Sequence, residues 1–468
     1  MPVPPLDTRV PAVLLRIDPN PFHHGTLGAV RSLGRAGVEV HLVADVTGSP
    51  VRATRYVRQL HPPPAPGAPV AEVAAVLLRV AARVARPAVL IALDDAGAVA
   101  VSRLGAELSP AYLLPPQPDG LPERVADKAE LVRLCAAADV AHPVTLVPES
   151  AAQAVAAARR LGLPMVAKWS RPWLLPPGSG LRSTVVVRSA REACELYARR
   201  EEAGSRLLLQ QFLPPGDDRD WFFHGYADRS GAVRAGGTGR KLLAWPRGAG
   251  LTAVGEWTPD ASVRVPAERL ARELGYRGIL DLDFRRHGPA GRPHLLDFNP
   301  RAGAQFRLFT DTAGLDVVRA QHLDLTHRPL PSGAERPGRV FVVENYAPLT
   351  ALRRTRGDRE PAWHADDDPA PGRAMWALWG RHVSRRLLTR LRPGATEPAA
   401  GTSAETAEAA GEALGASGRG GARGGSAPET SDRSGAVEQA RVVRQASPRS
   451  VALPHPAEPT DEERTGSR

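Results

Sequence analysis

The residues of this 468-residue chain best equipped for chemistry lie in one strand–turn–strand pattern. Gly278-Ile279-Leu280-Asp281-Leu282-Asp283-Phe284 alternates acidic and apolar side chains, so Asp281 and Asp283 share one face of a strand. A turn-rich stretch from His287 to Gly291 leads into Pro293-His294-Leu295-Leu296-Asp297-Phe298-Asn299-Pro300-Arg301, where Asp297 and Asn299 share a face. A turn near Ala290 sets Asp283 opposite Asp297 and Asp281 opposite Asn299. Like carboxylates facing each other destabilise a sheet. A divalent cation relieves that repulsion, and Mg²⁺ favours carboxylate oxygens together with substrate phosphates. Solvated acids on an exposed sheet face are the plain alternative. Arg301 stands where it can meet an anion beside a metal.

Lysine usage is the second signal. Of 61 basic residues only three are lysine: Lys128, Lys168 and Lys241. In a chain so biased toward arginine, a surviving lysine marks a place where a compact ammonium is needed and a planar guanidinium fits poorly. Phosphate oxygens are such a place. Gly178-Ser179-Gly180 offers backbone N–H groups for the same purpose, although a plain turn reads equally well.

Elements must hold these residues. Ala12–Ile17, Val38–Val43 and Ala88–Leu93 read as strands, separated by helical segments over Leu27–Ala36 and residues 70–86. That alternation is the signature of a parallel sheet with crossovers. Helices and strands then alternate from about Leu121 to Pro331, with loops expected at Pro176–Gly180, Pro214–Gly216 and Gly236–Gly239. Arg339–Glu344 reads as a strand. A helix over Arg373–Arg392 carries Trp376, Trp379, Val383, Leu387 and Leu391 on one stripe, with arginines around it. It suits docking on the protein body better than an anionic lipid surface. Residues 394–468 contain no aromatic side chain and read as disordered.

With these pieces in place the sequence resembles the ATP-grasp ligases. Asp297-Phe298-Asn299-Pro300-Arg301 is similar to their acidic-x-Asn-Pro-Arg metal segment, with Asp283 at the first metal carboxylate. Asp127-Lys128 resembles the "DK" motif, Pro164–Lys168 the strand whose lysine binds ATP phosphates, and Thr238–Lys241 a third basic position at the γ-phosphate. Leu207–Leu213 resembles the hinge strand that reads adenine, and Asp220 follows near the ribose position. The resemblance implies ATP and Mg²⁺ (with Mn²⁺ as an alternative) and metal ligands Asp283, Asp297 and Asn299. It also implies nucleotide contacts from Lys128, Lys168, Gly178, Ser179, Gly180, Gln210, Gln211, Phe212, Leu213 and Asp220, with Lys241 and Arg301 as catalytic groups.

The implied fold class is α/β and α+β. A pre-ATP-grasp parallel-sheet domain (10–115) precedes a two-lobed ATP-grasp domain (121–330; small lobe about 140–210, large lobe about 211–330). A C-terminal extension (331–393) and the tail follow. Leu27–Val38 looks like the opening of the carboxylate–amine ligase branch, which includes D-aspartate ligase-like enzymes. That branch implies ligation of a small-molecule carboxylate to an amine. The alternatives are a bicarbonate-activating enzyme and a nucleotide-binding regulator without turnover. Asp297 departs from the usual Glu, and Gln210 and Gln211 stand where Glu is common.

Composition narrows the field. The net charge of +11 raises nucleic acid as a partner, but the arginines are scattered without a reading motif, so none is expected. Two cysteines in no metal spacing exclude a disulfide scaffold and a cysteine zinc site. The opening Met1-Pro2-Val3-Pro4-Pro5 has no basic-then-apolar pattern, and the expected location is cytoplasmic. A homodimer and peripheral membrane contact through residues 373–392 are compatible with the pattern. His23-His24-Gly25 reads as a capped turn in preference to an acceptor contact, and Asp95 as a helix N-cap.

Overall fold

The computed structural model describes residues 5–245, 251–288, 291–352 and 357–390. The tail expected to be disordered lies outside the described residues.

The chain opens with a parallel five-stranded sheet: β1 (Ala12–Leu15), β2 (Val40–Val43), β3 (Gln59–His61), β4 (Ala88–Ala92) and β5 (Tyr112–Leu113), in the order β3-β2-β1-β4-β5. Unbroken apolar runs such as Ala12-Val13-Leu14-Leu15 fit strands covered on both faces. Helix Val70–Val84 covers one face with Val73, Val76, Leu77 and Val80. Helix His24–Gly34 covers the other with Leu27, Val30 and Leu33. This second helix begins three residues earlier than its sequence pattern suggests, because the His23 ring accepts from the Thr26 N–H and caps it. Helix Asp95–Arg103 is capped by Asp94, whose side chain accepts from Gly97 N; the cap is one residue upstream of the expected Asp95. That leaves Asp95 available elsewhere.

A four-stranded antiparallel sheet follows, ordered β6-β9-β7-β8: β6 (Thr145–Leu146), β7 (Met165–Trp169), β8 (Thr184–Val187) and β9 (Leu207–Gln211). It has its own core of Met165, Ala167, Trp169, Val187, Leu207 and Leu209 under helices Ala151–Leu161 and Ala190–Ala198.

The third sheet has seven strands. β10 (Asp220–Ala227), β11 (Val233–Trp245), β12 (Leu251–Trp257), β13 (Gly278–Arg286) and β14 (Pro293–Asn299) are joined at one edge by β15 (Val340–Val342) and β16 (Arg359–Pro361). Gly236–Gly239, expected as a loop, lies inside β11. Aromatic rings lie over Gly237 and Gly239: a Cβ at Gly239 would stand 2.4 Å from Phe222 Cζ, and one at Gly237 would stand 2.8 Å from Phe309 Cδ1. Glycine in a strand here marks close approach, not a turn.

One hydrophobic core joins the first sheet to the seven-stranded one, with Leu27, Val30 and Leu33 against Phe306, Val317 and Val318. Helix Ala370–Arg390 docks on the body, as expected, but in a different phase. Met375, Leu378 and Trp379 pack on the core, whereas Trp376 is exposed. The arginines from Arg385 onward lie outside the described side chains. Among the described residues no helix is long and apolar enough to cross a membrane.

Candidate active site

The β13–β14 hairpin forms the floor of the site. Its register pairs Asp281 with Asn299 and Asp283 with Asp297, as the alternation requires. The ladder shifts after Asp283, so that Phe284 pairs Leu295 and Leu296 is left out of the pairing. The bulge releases a carbonyl for another use. Leu296 O accepts from Lys168 Nζ at 3.1 Å.

All three lysines converge on this hairpin. Lys168 comes from β7 across the gap between sheets, with its Nζ 3.5 Å from Asp297 Oδ1. Lys128 opens helix Lys128–Ala137 and bonds the same Asp297 oxygen. Asp127, fully buried, caps that helix by accepting from Ala129 N and Glu130 N, and it also takes Ser170 Oγ and Arg171 Nε at the end of β7. The "DK" pair is thus a cap plus a cation: the aspartate fixes the helix start against β7, and the lysine is aimed from it. Lys241 reaches Asp283 from β11 at 2.8 Å.

The electrostatics follow from these pairs. The unrelieved repulsion expected between Asp283 and Asp297 is absent, because each carboxylate holds its own lysine. Burial raises the cost of charge on Asp297, yet Lys128 and Lys168 outweigh it and hold the carboxyl below its ordinary range. Burial likewise opposes the Lys128 and Lys241 charges, but Asp297 and Asp283 raise both above the usual lysine value. Lys168 is the exception. Desolvation of its almost buried side chain dominates, Lys128 repels it, and its pKa is lowered.

A second network adjoins the first. Arg301 Nη1 donates to Asp281 Oδ2 at 2.5 Å, and its Nε lies 3.3 Å from Asp95 Oδ1. Burial disfavours the Arg301 charge, but Asp95 and Asp281 outweigh it and raise its pKa. Asn299 Nδ2 donates to Asp281 Oδ2 at 3.3 Å. Behind Asp281, the fully buried His224 of β10 brings Nε2 within 3.1 Å of Asp281 Oδ1. Its ring fits because residue 303 is glycine; a Cβ there would lie 2.0 Å from His224 Cε1. His224 and Asp95 were not picked out by sequence pattern as members of this network. The available signal for His224 was an ionisable residue in the otherwise apolar run Trp221-Phe222-Phe223-His224. In sum Lys128, Lys168, Lys241 and Arg301 face Asp95, Asp281, Asp283 and Asp297, four charges of each sign.

The remaining candidates are placed less centrally. Gln210 sits at the end of β9, where its Nε2 donates to Thr145 Oγ1 at 2.9 Å, and Gln211 N donates to Val144 O. Phe212 and buried Leu213 follow the strand. Asp220, expected near a ribose, is held by Arg285 at 2.6 Å, and the same arginine donates to Leu213 O at 3.0 Å. That tie of hinge to β10 was not anticipated. Gly178 and Gly180 both adopt positive φ, +80° and +69°. Ser179 is bound back to Arg199, which donates to its carbonyl at 2.7 Å. Among the described residues no hydrogen bond or ion pair joins this loop to the lysines. His23 and His24 are a capping residue and a buried ring, the bland reading of that pair.

The donor set suits Mg²⁺ with a nucleotide. Two carboxylates and an amide oxygen on one sheet face fall short of a protein-only cage, and among the described residues no group of three or more His, Cys, Asp or Glu could hold a metal alone. Mg²⁺ is bound in this incomplete fashion, through one or two carboxylates plus phosphate oxygens and water. The lysines beside these carboxylates carry the kind of charge that phosphates would require.

No protein-family model matches the chain. A D-aspartate ligase of Enterococcus faecium is 24% identical over 244 residues, 49% of this chain and 56% of that protein, so the chain spans little more than half the length of this curated relative. Among solved structures, biotin carboxylase from Campylobacter jejuni superposes with a TM-score of 0.54 at 13% identity, covering 71% of this chain and 74% of that one. An L-amino acid ligase from Bacillus licheniformis gives 0.52 at 15%, covering 71% and 78%. N5-carboxyaminoimidazole ribonucleotide synthetase from Thermus thermophilus gives 0.51 at 18%, covering 69% and 80%. Identities this low show the fold, a parallel sheet followed by two antiparallel ones. That arrangement is the ATP-grasp fold, and the distant ligase relative adds a likeness in sequence.

Proposed function

We propose that the chain is an ATP-dependent ligase that activates a carboxylate as an acyl phosphate and joins it to an amine, releasing ADP and phosphate. The observation that carries this reading is the convergence of all three lysines on the paired carboxylates of one hairpin. The likeness to D-aspartate ligase supports the carboxylate–amine branch over bicarbonate activation.

In this reading Lys128 and Lys168 would hold the nucleotide phosphates, and Asp283, Asp297 and Asn299 would hold Mg²⁺, which would supply charge neutralisation to the phosphates. The substrate carboxylate oxygen attacks the γ-phosphorus, and the β–γ bridging oxygen leaves with ADP. The amine nitrogen then attacks the acyl carbon, and phosphate leaves as the amide forms. Lys241 and Arg301 stabilise the oxyanion of the tetrahedral intermediate. Gln210 to Leu213 and Asp220 line the adenosine side, and the Gly178–Gly180 loop covers the phosphates. The domain division read from the sequence belongs to the same proposal, with Lys168 in the small lobe and the hairpin in the large one.

The test is ADP release with Mg-ATP over a panel of amino-acid and dipeptide pairs, with bicarbonate as a separate arm. Turnover that needs both a carboxylate and an amine supports the reading. Turnover stimulated by bicarbonate alone transfers it to the carboxylating branch, and nucleotide binding without turnover leaves a regulator.

A further inference from the structure

A cavity of about 440 Å³ adjoins the Arg301 end of the hairpin, and no lysine lines it. Three separate parts of the chain wall it: the end of β4 with helix Asp95–Arg103, the linker Pro115–Pro118, and the segment Tyr276–Ile279 with Pro300–Arg301. Its volume is that of small-molecule sites, which typically span roughly 300–1,000 Å³. Leu90, Ile91, Ala98, Val101, Ile279 and Pro300 make much of its surface apolar.

Polar side chains also line it, Ser102, Ser109 and Gln117 among them. Arg103 is paired with Glu123 at 2.6 Å, and Arg277 donates to Arg229 O and Tyr276 O. Asp119 is exposed. Gln321, almost buried, gives its Nε2 to Leu90 O and keeps Oε1 as an acceptor. Arg301 uses Nε and Nη1 on Asp95 and Asp281, and among the described residues its Nη2 has no protein partner. An apolar chamber ending on a guanidinium with a spare donor edge fits one kind of molecule.

We propose that this cavity binds a small carboxylate with an apolar body, the carboxylate on Arg301 and the body among Leu90, Val101 and Ile279. The inference deepens the ligase reading and rests on it for one point only, that the bound carboxylate is the substrate to be activated.

Gly105 makes the test clean. It lines the cavity, and a Cβ placed there meets nothing within 4 Å, so a side chain can be introduced at this wall without a clash at its first carbon. Binding of 3-phenylpropionate to the full chain, followed by isothermal titration or saturation-transfer NMR, is the readout. The wild type should bind it, with the neutral 3-phenylpropanamide at least about tenfold weaker, as loss of a charge-assisted contact requires. Gly105→Leu should weaken binding at least about tenfold by occupying the chamber, while Gly105→Ala leaves it nearly unchanged. Val101→Phe is the second filling variant. No binding to the wild type overturns the proposal, as does affinity indifferent to both filling variants when their circular dichroism is unchanged. ADP release stimulated by the same carboxylate decides the ligase reading separately: binding without stimulation keeps the cavity and removes its role as substrate pocket.

Discussion

At the scale of single residues, the site turns on how much charge is buried and what balances it. Lys168 is 5% exposed and is held between Leu296 O and Asp297. A guanidinium at this position is larger, planar and unable to sit as a point charge among phosphate oxygens. Lys168→Arg should therefore fold and lose turnover on the order of 100-fold or more, the usual scale for removing one preorganised charge contact. ADP release is the measurement, and full activity in that variant would defeat the lysine argument. Asp297→Asn makes a sharper case, because sequence and structure disagree about it. Read from the hairpin alone, removing one of two facing carboxylates relieves repulsion and stabilises. In the structure Asp297 balances both Lys128 and Lys168, so its removal leaves two buried ammonium groups sharing no anion. Nucleotide-free Asp297→Asn should lose roughly 1–3 kcal/mol in denaturant melts, less than a fully enclosed pair because the carboxylate is partly exposed. A variant as stable as the wild type would show that the lysines do not depend on it. The linkage has a direction: with its pKa held low in the fold, Asp297 contributes stability above the ordinary carboxylate range and loses it as pH falls through the lowered value.

At the scale of elements, strand alternation and register were legible where both faces of the pattern carried a clear signal. The period of two in Leu280–Phe284 and Leu295–Asn299 fixed the cross-strand pairs, and those are the pairs observed. The apolar runs of β1, β2 and β4 were equally plain. β3 and β5 were not, being three and two residues long with Gln59, His61 and Tyr112 among them. Periodicity has too little to work on at that length. The glycines of β11 misled for a different reason. At Gly237 and Gly239 the cause is the tertiary packing of Phe222, Phe309 and Trp257 against the strand, which no local window contains. The same holds for His224, whose partner Asp281 is 57 positions away and whose ring space is provided by Gly303. Gly239→Ala tests this account of β11. Its Cβ would press on Phe222 and Phe309, both fully buried, and should cost about 1–3 kcal/mol as an overpacked core does. Were the glycine merely a loop residue, as its sequence context suggests, the substitution would be neutral or slightly stabilising in the same melts.

At the scale of the whole molecule, the parallel sheet and the seven-stranded sheet are parts of one folding unit, and the segment beyond residue 338 helps to bind them. Asp368 is the clearest link. Its carboxylate, 2% exposed, accepts from Arg31 Nε at 2.9 Å, Thr54 Oγ1 at 2.7 Å and Arg55 N at 3.1 Å. Arg31 is wholly buried within helix His24–Gly34, and burial lowers its pKa despite the partner. Asp367 adds Arg35 and Tyr56 on the rim. Removing Asp368 leaves a buried guanidinium without its anion, a change that generally costs about 3–5 kcal/mol. Asp368→Ala should therefore lower the unfolding midpoint by that amount, while KM for ATP at temperatures below the transition stays unchanged, because none of these groups reaches the hairpin. The double variant Arg31→Met with Asp368→Leu should recover a large part of the loss, since two matched apolar side chains leave no charge to solvate. If Asp368→Ala melts with the wild type, the C-terminal segment is an appendage and the shared core alone unites the two sheets. If it instead raises KM for ATP while leaving the midpoint in place, the clamp acts on the site through helix His24–Gly34, which packs on the Phe306–Phe309 turn just beyond Arg301.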